Sequence, residues 1–185
     1  MIKKLCAIFS LIVVIITCSG YKKPHTYKIE AEKNAFFHNN VGLNYITDGY
    51  YYAAIQEFKI AISLSPSTQA SAIFYNNLGD VYMTIGYPKH AEDCYLNALK
   101  LYGLNLQYYK NLAKCYKTMG VLESKLQEIK INENPYNKIL KGLMLIEKGD
   151  KRNGMIMLDE FCSTEPDLII TSGIKQYLKT LERES

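Results

Sequence analysis

Catalysis or metal binding in this chain would have to be built from three histidines, five cysteines and a scatter of carboxylates. His25, His38 and His90 are far apart, and no H-E-x-x-H or C-x-x-C spacing brings ligands onto one helix face or into one turn. Adjacent carboxylates such as Asp159 and Glu160 point to different sides of a helix, so they cannot share a proton as a dyad. There is no glycine-rich phosphate loop and no G-x-S-x-G elbow. These residues argue against an enzyme and imply no cofactor and no metal. One group of charges does have a spacing that matters. Lys110, Lys114 and Lys117 recur at i, i+4 and i+7, so on a helix they share one face. Such a stripe either attracts acidic groups of a partner or is a solvated charged face.

Five prolines in 185 residues, with 48% hydrophobic and 22% charged residues, describe a folded chain rather than a disordered one. The formal charge of +4 falls to +2 if Lys3 and Lys4 are lost with a leader, which is too little and too scattered for nucleic acid. Such a leader is expected. Lys3 and Lys4 precede an uncharged run of 13 residues, Leu5 to Thr17, too short to span a bilayer but the length of a signal-peptide core. The run ends at Ile15-Ile16-Thr17-Cys18, which resembles a bacterial lipobox. That resemblance implies cleavage after residue 17 and lipidation of Cys18, with fatty-acyl (palmitate-type) chains anchoring the protein in a bacterial cell membrane. In a Gram-negative cell this would be the outer membrane, with the domain on the periplasmic or extracellular side. An uncleaved or ordinary secretory leader is the alternative. Residues 18–34 are polar and would act as a tether of ~50 Å when extended. Beyond Cys6 and Cys18, the cysteines Cys94, Cys115 and Cys162 are odd in number and lie in helical patterns. They are expected to pack as small hydrophobes.

Two segments then repeat. Gly42-x2-Tyr45-x8-Ala54-x3-Phe58-x2-Ala61 recurs 37 residues later as Gly79-x2-Tyr82-x8-Ala91-x3-Tyr95-x2-Ala98. Each has a further glycine four residues after its first tyrosine, Gly49 or Gly86, and Pro66 closes the first copy. Two weaker copies follow, around Leu112-Ala113 with Gly120, and around Gly142, Gly149, Gly154, Leu158 and Phe161. The pattern resembles the tetratricopeptide repeat, a helix–turn–helix unit, and implies an all-α solenoid of about four repeats (35–71, 72–105, 106–134, 135–166). Small residues let paired helices approach closely, and the large aromatics fill the space between pairs. The third repeat's second helix, Val121 to Ile131, is expected to end early, and Asn134-Pro135 to start the next helix. Residues 167–185 place Ile170, Ile174, Tyr177, Leu178 and Leu181 at helical spacing, as a capping helix over the last repeat would require. Ser172-Gly173 allows a kink or a late start.

In the family resembled, the first helices of successive pairs line a concave groove that holds peptide segments or helices. Carried over by position, the resemblance puts Asn39, Leu43 and Ile46 in that groove, then Asn76, Asp80 and Met83, then Lys110, Lys114 and Lys117, then Ile139, Leu143 and Ile146. The members that grip a terminal carboxylate use Lys and Asn one turn apart, where this chain has Asn39 and Leu43, which argues against that activity. Asn40, Asn77 and Asn111 are expected to hydrogen-bond within their own repeats. His38 stands where the family usually has an aromatic residue, so it is expected to pack. The function implied is a membrane-anchored, non-catalytic adaptor or assembly factor that binds another cell-envelope protein or peptide segment. A self-associating structural component is the first alternative, and an envelope enzyme of unknown chemistry the second.

Overall fold

Four glycines with positive φ punctuate the helices: Gly49 (78°), Gly86 (82°), Gly120 (70°) and Gly149 (102°). Each ends the first helix of a pair in the left-handed region, where a Cβ would be strained. The computed structural model describes residues 34–131 and 134–183, all within one compact unit, Lys33–Ser185. The expected leader, the lipidation site Cys18 and the tether lie outside the described residues, apart from Asn34 at the tether's end. Among the described residues there are nine helices and no strand. They are α1 (Ala35–Thr47), α2 (Tyr51–Leu64), α3 (Gln69–Thr84), α4 (Pro88–Leu101), α5 (Leu106–Thr118), α6 (Leu122–Glu128), α7 (Asn137–Lys148), α8 (Lys151–Thr164) and α9 (Ile169–Arg183). None of them is long and apolar enough to cross a membrane.

Helix starts follow local chemistry. Side chains of Asn34, Thr68, Asn105 and Asp150 each accept a backbone N–H of the first turn, and Pro88 begins α4 where no intrahelical N–H is needed. The pairs α1–α2, α3–α4 and α7–α8 pack closely, and α2 on α3 and α4 on α5 carry the stack forward. Gly42 and Gly79 make this packing possible. A Cβ on Gly79 would stand 2.6 Å from Tyr95 Cε1, and one on Gly42 2.7 Å from Phe58 Cε1. Ala54 and Ala91 are fully buried in the same clusters as those rings, and Ala61 and Ala98 are fully buried with Phe74 and Tyr108 of the following repeat. The two regular repeats are thus glycine-and-alanine seats for one aromatic knob each. The result is the all-α solenoid that the repeat pattern implies.

The second half departs from regularity. The second helix of the third repeat spans only Leu122–Glu128, less than the expected Val121 to Ile131. Only Leu122 and Leu126 bury there, while Lys125 turns outward to pair with Glu128 at 2.9 Å and lie over the Tyr116 ring. Seven residues with two apolar anchors do not sustain a longer helix. The next helix starts at Asn137 rather than at Pro135, because Asn134 Oδ1 accepts the N–H of Tyr136 and holds residues 134–136 in a turn. With α6 so short, α7 packs directly on α5.

The C-terminal helix α9 is continuous from Ile169, so Ser172-Gly173 neither kinks it nor delays it. It packs on α8 and also reaches α5, closing a ring of α5, α7, α8 and α9. Ile170, Ile174 and Leu178 share one core with Tyr109, Leu112, Ile139, Leu143, Leu158 and Phe161. Ile139 and Leu143 are therefore interior residues, 0% and 2% exposed, and do not line a groove as their repeat position implied.

Candidate partner-binding groove

The first helices α1, α3 and α5 lie side by side. On each, positions three, seven and ten residues after the first groove residue return to the same face. That rule selects Phe36, Asn39, Leu43 and Ile46 on α1, Ile73, Asn76, Asp80 and Met83 on α3, and Gln107, Lys110, Lys114 and Lys117 on α5.

The asparagines of this face are turned to each other. Asn39 and Asn76 are buried, 5% and 8% exposed, so they are not the exposed contact residues their position implied. Asn77 Nδ2 donates to Asn39 Oδ1 at 2.8 Å, and Asn111 Nδ2 donates to Asn76 Oδ1 at 2.9 Å. These bonds run between neighbouring repeats rather than within them, and they tie α1 to α3 and α3 to α5. Asn40 serves only as an acceptor for Asn39 beside it. Asp80 is the hub of the network. Its carboxylate accepts from Tyr95 Oη (2.7 Å), Asn76 Nδ2 (3.1 Å) and Asn111 Nδ2 (3.0 Å). Desolvation holds the Asp80 carboxyl above its ordinary value, opposed by the hydrogen bonds from Tyr95 and Asn76 and by the charge of Lys114. Burial, reinforced by the same carboxylate, raises the Tyr95 hydroxyl far above the phenol range, so Tyr95 is a donor.

The exposed part of this face is apolar toward α1 and polar toward α5, where Asp80, Gln107, Lys114 and Lys117 are exposed. Phe36, Leu43 and Ile73 are 55%, 41% and 44% exposed, with Ile46 and Met83 half-buried. Phe36 and Ile73 were not singled out by the sequence reading. Their signal was present: each lies three residues before its groove asparagine, on the same face. A cleft of about 200 Å³ opens between Asp80, Met83, Thr84, Tyr95, Asn111 and Lys114.

The three lysines fare differently. Lys110 is half-buried with its ammonium 4.5 Å from the centre of the Tyr177 ring of α9, so it is a contact between helices. Lys117 pairs with Glu147 of α7 at 3.0 Å. Lys114 is exposed and has no ion pair within 4 Å among the described residues. The stripe thus offers one available cation. Ile146 is half-buried at the closed end.

The three described cysteines lie buried in the core. Burial pushes the Cys94 thiol up to about 12 and the Cys115 thiol up to about 11, and raises Cys162, so all three stay protonated. His38 is buried and packs, with Nδ1 hydrogen-bonded to Glu57 Oε2 at 2.6 Å. Among the described residues no three His, Cys, Asp or Glu side chains are grouped to hold a metal ion.

Residues 72–103 match the tetratricopeptide repeat family model. No curated protein matches the chain. A tetratricopeptide repeat protein from Parabacteroides merdae superposes with a TM-score of 0.50 at 18% identity, over 81% of this chain and 60% of that one. The second tetratricopeptide domain of the human RPAP3 protein, solved in complex with an HSP70 peptide, gives 0.47 at 18% identity, over 69% and 93%. The Arabidopsis OM64 domain gives 0.47 at 11%, over 81% and 98%. At these identities the likeness is one of fold. With one repeat, residues 72–103, matched in sequence and the helices stacked in the same pairwise order, the chain has the tetratricopeptide-repeat fold.

Proposed function

We propose that this protein is a non-catalytic adaptor that binds a segment of another cell-envelope protein on the face of α1, α3 and α5, and that lipidated Cys18 holds it at a bacterial membrane. The observation that carries the binding reading is the exposed apolar row of Phe36, Leu43 and Ile73 beside an available ammonium, Lys114. Isolated exposed apolar residues are ordinary, but a row on one face with a polar border is the composition of an interaction surface. The anchoring half of the proposal rests on the Leu5–Thr17 run and Cys18 alone. A photo-crosslinking side chain placed at Ile73, and separately at Leu96 on α4, tests the binding face in intact cells. Leu96 is similarly exposed but belongs to a second helix. A discrete covalent adduct from position 73 and none from position 96 is expected. Adducts from 96 alone would move the binding surface to the second helices.

A further inference from the structure

We infer that a second binding surface lies outside the groove, along the edge formed by the turns within the helix pairs, and that it takes a proline-rich segment in the polyproline II conformation. Tyr50 and Tyr87 hold the same place in the first two repeats, immediately before α2 and α4. Their backbones match, at φ −89°, ψ 61° and φ −112°, ψ 63°. Each N–H donates to the carbonyl of the tyrosine five residues earlier, Tyr45 or Tyr82, at 2.8 Å. The two side chains therefore leave the edge in the same direction. Each ring stands edge-on to a neighbouring aromatic, Tyr50 to Tyr45 (centroids 6.3 Å apart, 82°) and Tyr87 to His90 (5.8 Å, 84°). The two tyrosines remain 58% and 47% exposed, and neither hydroxyl has a hydrogen bond among the described residues.

Spacing and chemistry select the occupant. α1 and α3 lie side by side, tied by the bond from Asn77 Nδ2 to Asn39 Oδ1, so equivalent points on the edge are about 8–10 Å apart. A polyproline II helix advances about 9.3 Å per three-residue turn and brings every third residue to one face. A proline over Tyr50 is thus followed, three residues on, by one over Tyr87. Val121, half-buried before α6, is next in line. An extended strand returns to one face about every 6.5–7 Å and falls out of step. An α-helix spans the distance in two turns, but its carbonyls are spent on its own bonds. A polyproline II backbone makes no internal bonds, so its carbonyls are available to the two tyrosine hydroxyls. Charge fixes the direction. Asp48, exposed at the end of α1 two residues before Tyr50, has no ion pair among the described residues, whereas Lys89, beside Tyr87, is paired with Glu92. The segment accordingly carries Lys or Arg at the end that lies over Tyr50.

The test uses a displayed library of 12-residue segments with proline fixed at every third position and the rest random, selected on the full-length protein in detergent. A second library, with proline fixed at every fourth position, is selected beside it. The expected result is enrichment from the first library alone, with Lys or Arg toward one end and affinity lowered tenfold or more by Tyr50→Ala with Tyr87→Ala. Tyr50→Phe with Tyr87→Phe keeps the rings and should cost threefold or more, because only the hydroxyl donors are removed. Equal enrichment from both libraries, clones indifferent to the alanine pair, or a selection that enriches nothing would overturn the inference. Clones lost with Leu43→Asp and Ile73→Asp yet retained by the alanine pair would place the ligand in the groove, overturning the edge and leaving the proposed binding face standing. Both tyrosines are exposed, so circular dichroism of the alanine pair should match the unsubstituted protein. Should that pair unfold, Asp48→Asn, an exposed change, still decides: it should erase the preference for a basic end, and a preference that survives it would overturn the edge as the site.

Discussion

Gly79 sits 2.6 Å, as measured from an added Cβ, from a ring that cannot step aside, because the Tyr95 hydroxyl is tied to Asp80. Gly79→Ala is therefore expected to destabilise by about 1–3 kcal/mol despite the better helix propensity of alanine, since the overpacking outweighs roughly 1 kcal/mol of propensity gain. Thermal unfolding measures it, and an unchanged or raised midpoint would mean that the two helices are not in contact at this point. The seat was legible in sequence, because only close helix contact demands glycine opposite an aromatic at a fixed interval in two copies. The pair made by His38 and Glu57 was legible only by half. The burial of His38 followed from its repeat position, but its partner 19 residues on depends on how α2 is rotated against α1. His38→Phe should leave the buried Glu57 without its partner and cost about 3–5 kcal/mol, whereas His38→Phe with Glu57→Leu should recover most of the loss. A double variant no more stable than the single one would show that the pair is not coupled. The asparagine ladder was misread for a related reason. Its bonds join residues 35 and 38 positions apart, across repeats, and helical periodicity does not encode the angle at which one repeat follows another.

At the level of elements, the apolar stripe of α9 was readable residue by residue, but not what it covers. A stripe specifies that a helix must bury one face. Which surface receives it depends on the neighbouring elements, here on an α6 of only seven residues that leaves α7 against α5 and α9 within reach of the same helix. Ile139 and Leu143 were assigned to a groove on the premise that the fourth repeat continues the third regularly. The short α6 removes that premise. A consequence is that the second half of the protein should lose structure as one body. Ile174→Asp would put a carboxylate among Leu143, Phe161 and Ile170 in the shared core. The expected outcome is loss of amide protection in α5 and α7–α9 together, with α1–α4 retaining more, because stacked repeats are coupled chiefly to their neighbours. Equal loss across all helices would show one cooperative unit. Tyr177→Ala, by contrast, removes the ring over Lys110 and should cost about 0.5–2 kcal/mol while leaving the core closed.

For the whole molecule, charge and tethering meet in the proposed role. Lys114 is the one lysine of the stripe without a partner among the described residues, so Lys114→Glu should weaken capture of an acidic, apolar segment without a measurable change in stability. Exposed substitutions of this kind stay within about 0.5 kcal/mol. The same capture should weaken with salt as the Debye length falls from about 10 Å at 0.1 M to about 3 Å at 1 M. Binding that survives both changes would assign the affinity to the apolar row alone. The proposed anchoring would be separable from all of this, because the 16 residues between Cys18 and the first described helix could reach about 50 Å if fully extended. In the proposed role, a tether of that reach would let the groove work at a distance from the bilayer while acyl chains on Cys18 did the holding. A single chain gives only reversible binding, so retention requires the multiple chains that lipobox processing adds. Cys18→Ala removes the acceptor thiol and changes none of the described helices. The variant is accordingly expected to run as an unprocessed precursor or a soluble chain, with the melting midpoint of its folded unit unchanged. Membrane fractionation and the mass of the N-terminus read the outcome directly. A Cys18→Ala protein that still sediments with membranes at the mature mass would show that something other than lipidation holds it there.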